Sequence, residues 1–390
     1  MAIVINKVSS NFWNMRKIVL LLPSLPKYRI DFLNSLHGEL LKDKIELIVF
    51  HGSTKKKSIL TSNEGNFNVV PLKTFETTLC GVTVTFLKDL KKKIKHERPT
   101  GVVVLFNPAI LSFVDVLLYC KKHHIPYGIW SCGYVRPKIN GLVEKIRNVI
   151  LDFFDQKAQI HIAYHSLRKE SLLSKGIDNS KIFIAQNTIN IESIVSSYDL
   201  NEINAKRFND ALNILFVGAL IENKNLKTAM RAVETIIEKN NNISFTIVGG
   251  GQIYNDLIEY RNCLLHKEHF HILGPKYGEE LRSLFLKSDL FLLTGSGGLA
   301  INEAMAYGLP IISTIGDGSI KDLIYENGYL LSQIEDVNEI MKCILNFIAL
   351  PKEKKIRMSE ASYERIQNTA SLNNMVVQYK NSILQLINED

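Results

Sequence analysis

The strongest constraint on this chain's fold is a rhythm of short apolar, β-branched runs separated by segments with helical spacing. Residues 17–22, IELIVF (45–50), GVVVLF (101–106), PYGIW (126–130) and QIHIAYH (159–165) are strand candidates, and 29–41, 109–122 and 140–156 between them have helical spacing. A parallel neighbour is reached only by a crossover, so strand, helix, strand in repetition implies a parallel sheet with helices on both faces. A polar, linker-like stretch at 187–210 interrupts the rhythm. It then restarts with LNILFVG (212–218), ISFTIVGGG (243–251), FHILG (270–274), DLFLLTG (289–295) and LPIISTI (309–315), with helices expected at 225–238, 252–264, 277–287 and 299–307. A chain of 390 residues exceeds one ordinary core. The expected fold is α/β, two doubly wound Rossmann-like domains facing across a cleft. The first spans 1–190, with 1–14 a loose extension. The second spans 191–365, and a terminal helix, 366–390, packs back on the first domain.

Composition narrows the class. No apolar run reaches the roughly 18 residues that a membrane span requires. The five cysteines, Cys80, Cys120, Cys132, Cys263 and Cys343, show no metal or disulfide spacing, so a reduced, cytoplasmic chain is expected. Net charge is +8, but residues 1–200 hold 28 Lys and Arg against 16 Asp and Glu, while 201–390 hold 19 against 23. The first half would thus attract an anionic partner, and an acidic membrane surface fits the runs KKK (55–57), KDLKKKIKHER (88–98) and RPK (136–138). Plain solubility explains the same charge. A nucleic-acid partner is excluded by the lack of an aromatic-studded sheet face or a recognition-helix motif.

Ligands of open α/β sheets bind at the carboxyl ends of strands. Three such ends in the second half carry glycine: Gly218 in FVGALIENKN, Gly249, Gly250 and Gly251 in IVGGG, and Gly295, Gly297 and Gly298 in TGSGGLAINEAMA. The free amides of Gly297, Gly298 and Leu299 at a helix start form an anion site, with Lys224 adding charge from the neighbouring loop. Glu303, one turn inside that helix, is placed to accept hydrogen bonds from ribose hydroxyls. Phosphate beside ribose describes a nucleotide. The dinucleotide fingerprint and the Walker lysine are both missing, and no two aspartates are separated by one residue. A diphosphate would therefore be neutralised without a metal.

These motifs, in this order, resemble the donor domain of glycosyltransferase family 4, whose members are retaining, nucleotide-sugar-dependent enzymes of GT-B architecture. The likeness runs from about 180, where KIFIAQNTIN leads in, to GYLL (328–331). In the first half, LLPSLPKYRIDFLNSL (21–36) is similar to the start of members that build bacterial surface polysaccharides. The resemblance implies a sugar passed from a nucleotide diphosphate, UDP favoured over GDP, to a glycan or lipid-linked acceptor. It gives Glu303 the ribose, Lys224 the departing diphosphate, and Gly298 and Leu299 the phosphate or sugar; from their strand-end and helix-start positions, Gly218, Asn225, Gly249, Gly250 and Gly297 are expected to line the donor. No cofactor or metal is expected.

This sequence departs from the family pattern at three places. The family's first glutamate falls on Gly295, the arginine after the "VG" step on Ala219, and a first-domain histidine near Cys132. Those losses keep open a second reading, an inactive nucleotide-sugar-binding subunit of a partner transferase. A nucleotide-sugar epimerase of the same architecture is a further alternative. Arg29 and Cys132 are the acceptor-side candidates, and His165 ends a strand from which it could reach the cleft. His123 and His124 fall in a polar turn and are assigned nothing. Helix 141–158 places Leu142, Ile146, Val149 and Phe153 on one face, expected to meet the core, with a membrane-lying helix as the alternative.

Overall fold

A parallel sheet covered on both faces buries successive side chains alike, so its strands read as continuous apolar runs. Ile18 through Leu22 are each at most 2% exposed. The computed structural model describes residues 15–52, 65–79, 82–132, 141–209, 211–238, 242–316, 318–332 and 335–388. The extension 1–14 and the basic runs 55–57 and 136–138 lie outside the described residues. The chain divides into two units, Met1–Gln186 with Leu372–Asp390, and Asn187–Ser371.

The first unit holds β1 (Arg16–Leu22), β2 (Ile45–Gly52), β3 (Asn68–Leu72), β4 (Thr74–Leu79), β5 (Val82–Leu87), β6 (Gly101–Leu105), β7 (Tyr127–Ser131), β8 (Ile160–Ala163) and β9 (Ile182–Ile184). Seven of them form one sheet in the order β3-β2-β1-β6-β7-β8-β9, every neighbour parallel. The sequence reading passed over β3 and the antiparallel hairpin β4–β5, whose Phe75 faces Phe86 across the strands. The helix Leu372–Asn388 completes this unit, its Tyr379 ring meeting Phe32 of the helix Ile30–Lys42 edge-on at 4.8 Å.

The second unit holds β10 (Leu212–Val217), β11 (Ile243–Val248), β12 (Phe270–Leu273), β13 (Leu290–Leu293), β14 (Ile311–Thr314) and β15 (Gly328–Leu331). They pair in parallel in the order β12-β11-β10-β13-β14-β15. The stretch expected to be a linker is instead a packed part of this unit. It contains the helices Glu192–Val195 and Leu200–Lys206, and its polar residues find backbone partners. Arg207 donates to the carbonyls of Tyr307 at 2.8 Å and Phe285 at 2.9 Å, while Asp289 accepts from the amides of Phe208 and Asn213. The helix Lys352–Thr369 also belongs here, so the boundary falls two residues past its end.

The structure corrects the expectation for helix 141–158. The helix runs Gly141–Asp155, and its Ile146, Val149 and Phe153 are 54%, 67% and 40% exposed. Phe154 faces the core instead, meeting Phe106 edge-on at 5.4 Å. The periodicity located an apolar stripe, but the helix rotates about one position so that Ile150, Leu151 and Phe154 pack on the sheet. Among the described residues no helix is long and apolar enough to cross a membrane.

Candidate functional site

In the second unit the strand order reverses direction between β10 and β13, since β10 leads outward to β11 and β13 leads the other way to β14. The loops after these two strands come together at the carboxyl edge of this switch point, the place where open α/β sheets bind ligands. Those loops are 218–225 and 294–299. The topology thus brings the Lys224 and Gly297–Leu299 motifs, more than 70 residues apart in sequence, to one place.

Most of the glycines serve the loops themselves. Gly249 has φ +147°, and a Cβ there would stand 1.8 Å from the Gly218 carbonyl oxygen. At Gly295 a Cβ would lie 2.1 Å from the Asn223 oxygen and 2.5 Å from the Lys224 Cα. A Cβ at Gly250 meets the Pro275 ring at 3.0 Å. Glycine is required at these positions because neighbouring backbone or ring occupies the space that a side chain would need. Gly298 is different: it is exposed, and the one atom within 4 Å of its Cβ position is the Lys224 Nζ at 3.7 Å.

The two loops are bolted together. Ser296 donates its amide to the Asn223 carbonyl at 2.9 Å, and the Thr294 hydroxyl donates to the carbonyl of Lys224 at 2.9 Å. Thr314, ending β14, donates its hydroxyl to the Gly295 carbonyl at 2.6 Å. Lys224 is 7% exposed, and its ammonium donates to the carbonyls of Ser296 and, at 3.0 Å, Gly297. The lysine read as a point charge for a ligand is thus also the clasp of the glycine loop. Asn225 takes a left-handed conformation, φ +51°, at the turn into the helix Leu226–Ile237. The amides of Gly297, Gly298 and Leu299 have no acceptor among the described residues.

The following helix, Ala300–Ala306, has only seven residues, ended by Gly308 at φ +67°. With so little helix behind them, the amides attract an anion chiefly by their own N–H groups. Ile301, Ala304 and Met305 anchor the helix in the core and leave Glu303 half-buried on the other side. Burial alone pushes its carboxyl up to about 7. Near neutrality it exchanges readily between accepting and donating hydrogen bonds, which suits a partner with paired hydroxyls.

The first-unit candidates sort differently. Cys132 follows β7 and is half-buried. His165 caps the helix Ser166–Ser174, its Nδ1 accepting the Arg168 amide at 3.1 Å, so the structure gives it a folding task. Part of the basic cluster 88–98 is already paired: Lys91 with Asp115 at 2.7 Å, and Lys95 over the Tyr119 ring at 5.2 Å. Arg29 is buried, 7% exposed, among Tyr28, Trp130 and Tyr164. These aromatic partners escaped the sequence reading, because they come from distant segments with no shared motif.

Residues 200–365 match the family described as Glycosyl transferases group 1. An uncharacterized glycosyltransferase of Methanocaldococcus jannaschii is 26% identical over 278 residues, 67% of this chain and 65% of its own length. The amylovoran biosynthesis glycosyltransferase AmsK of Erwinia amylovora is 30% identical over 131 residues, 30% of each chain. The chain thus spans less than two thirds of these curated relatives. The solved structure of Anabaena HepE in complex with UDP superposes with a TM-score of 0.69 at 14% identity, over 95% of this chain and 100% of that one. The likeness to glycosyl transferases group 1 lies in the second unit, at residues 200–365, and the fold is GT-B.

Proposed function

We propose that this chain is a glycosyltransferase that moves a sugar from a nucleoside-diphosphate donor, UDP favoured over GDP, to a hydroxyl of a glycan or lipid-linked acceptor. One observation carries the reading. Amides at 297–299 without an acceptor among the described residues, the Lys224 ammonium and a near-neutral Glu303 share the switch point of the unit that matches group 1. The diphosphate would rest on the amides beside Lys224, with Glu303 on the ribose and Gly218, Asn225, Gly249 and Gly250 along the walls. In the reaction the bond from the anomeric carbon to the diphosphate oxygen breaks and a bond to the acceptor oxygen forms. The acceptor's proton passes to the departing phosphate. Preorganised donors aimed at that developing charge are worth roughly 3–4 kcal/mol each in measured cases, without a resident metal. Family 4 membership, and with it retention of anomeric configuration, rests on the sequence resemblance. Surface-polysaccharide or lipopolysaccharide synthesis is supported by the likeness to AmsK.

The acceptor is assigned to the first unit, at the inner face of the membrane. The exposed Ile146, Val149 and Phe153, with Lys121 4.7 Å over the Phe153 ring, support a peripheral contact there. Flotation with acidic vesicles, weakened by Val149→Glu, is the expected result, and equal flotation with neutral vesicles would refute the contact.

Gly295 favours a second reading, a donor-binding subunit without transferase activity, since the backbone around it leaves no room for the family's carboxylate. A thermal-shift panel of UDP, GDP and their sugars, with a chelator present, tests binding by mass action. Release of nucleotide on adding envelope lipid then separates the readings. Binding with release is expected, and binding without release would favour the subunit.

A further inference from the structure

Arg29 is a buried cation that forms no ion pair among the described residues. Its guanidinium lies 4.5 Å over the Trp130 ring and 5.7 Å from the Tyr28 centroid. Nη2 donates to the Tyr164 hydroxyl at 2.9 Å, while Nε is buried with no acceptor. Two more donors without acceptors among the described residues stand in the same cluster, the Trp130 indole N–H and the Tyr379 hydroxyl. The Trp130 ring stacks on Tyr164 at 5.2 Å and meets Tyr379 edge-on at 5.0 Å. Ring faces offset part of the cost of burying a cation, but they accept no N–H in its plane. A guanidinium's planar fork matches the two oxygens of a carboxylate or phosphate.

The position suits a ligand. Arg29 lies between β1 and the helix Ile30–Lys42, Trp130 sits near the end of β7, and Tyr164 directly follows β8. All three are at the carboxyl edge of the first unit's sheet, the edge at which such sheets bind ligands.

We propose that Arg29 and its aromatic box bind an anionic group, a phosphate or a carboxylate. On the transferase reading this group is part of the acceptor, which makes the acceptor an acidic glycan or a phosphate-linked one. Specificity follows from the mismatch of one charged fork in an apolar box: a neutral acceptor leaves the cation unpaired, and an anionic one completes it.

The chain has two tryptophans, Trp13 and Trp130. Trp13→Phe makes Trp130, under the guanidinium, the sole indole emitter. Inorganic phosphate and glucuronate are titrated separately, with sodium chloride at matched ionic strength as the control. A saturable change in emission with either probe, absent with chloride, is expected, and the probe that acts distinguishes phosphate from carboxylate. Arg29→Gln should abolish it, and Arg29→Lys should weaken binding about tenfold by replacing the fork with a point charge. If Arg29→Gln does not fold, Arg29→Lys and Tyr164→Phe carry the test. The response should persist in Glu303→Gln. No response to either probe, a response undiminished in every folded Arg29 and Tyr164 variant, or one lost in Glu303→Gln would overturn the assignment. A chain that binds these anions but not UDP would refute the transferase reading and leave this site standing.

Discussion

The two units carry sheets of the same kind, parallel, doubly wound and open at the carboxyl edge, yet they furnish that edge with different materials. In the second unit it is made of backbone: glycines at 249 and 295 pressed against neighbouring carbonyls, amides at 297–299 with no acceptor among the described residues, and a lysine clasped to the carbonyls of Ser296 and Gly297. In the first it is made of side chains, with an arginine held among Trp130, Tyr164 and Tyr28. A backbone edge tolerates few residue types, because a Cβ in the wrong place meets main-chain atoms that cannot move aside. A side-chain edge can be rebuilt by substitution. The second unit is therefore suited to a constant ligand part and the first to a variable one.

Crowding should break the comparison hardest. Gly295→Glu and Gly249→Ala each drive a Cβ into main chain. Each should cost 3 kcal/mol or more in urea midpoints, above the usual range for overpacking. A loss under 1 kcal/mol would show that the loops are not packed as described.

The two units should also respond oppositely to pH. In the first, burial pushes His161 down to about 4, against an ordinary 6.5. Its stabilising contribution is complete above pH 6.5 and lost as pH falls toward 4, about 3 kcal/mol in all. His161→Gln should flatten that acid branch. In the second, Glu303 is raised from 4.5 to about 7, so its folded state favours the protonated form. That contribution is complete below pH 4.5 and lost as pH rises through 7, about 3 kcal/mol in all. Glu303→Gln should gain stability relative to the parent at pH 8 and little at pH 4. Equal shifts at both pH values would remove the burial argument. The smallest effect belongs to the exposed stripe: Val149→Ser should change stability by less than about 0.5 kcal/mol, whereas Phe154→Ala should cost about 3 or more.

What the sequence made legible follows the same division. Strand runs such as 17–22 and 45–50 were readable because double burial makes them continuously apolar. The placement of Lys224 beside the glycine loop at 297–298, and of Glu303 in the helix that follows, was legible because a backbone-built edge confines residue choice to short motifs. Residues 187–210 misled because their polar groups are satisfied inside the fold, the Arg207 guanidinium by the Tyr307 carbonyl and the Phe208 amide by the Asp289 carboxylate, and composition alone cannot distinguish that from solvation. The helix 141–155 misled by rotation, since its apolar residues cover more than one face. The box around Arg29 was hidden because Trp130, Tyr164 and Tyr379 meet only through tertiary structure.

The central claim is that the loops after β10 and β13 hold a nucleoside diphosphate without a metal. Isothermal titration of the chelator-treated chain with UDP tests it most directly. The account predicts saturable binding, weakened at least tenfold by Glu303→Ala and likewise by Lys224→Met in folded protein. Absent binding, or binding that neither substitution alters, would contradict it.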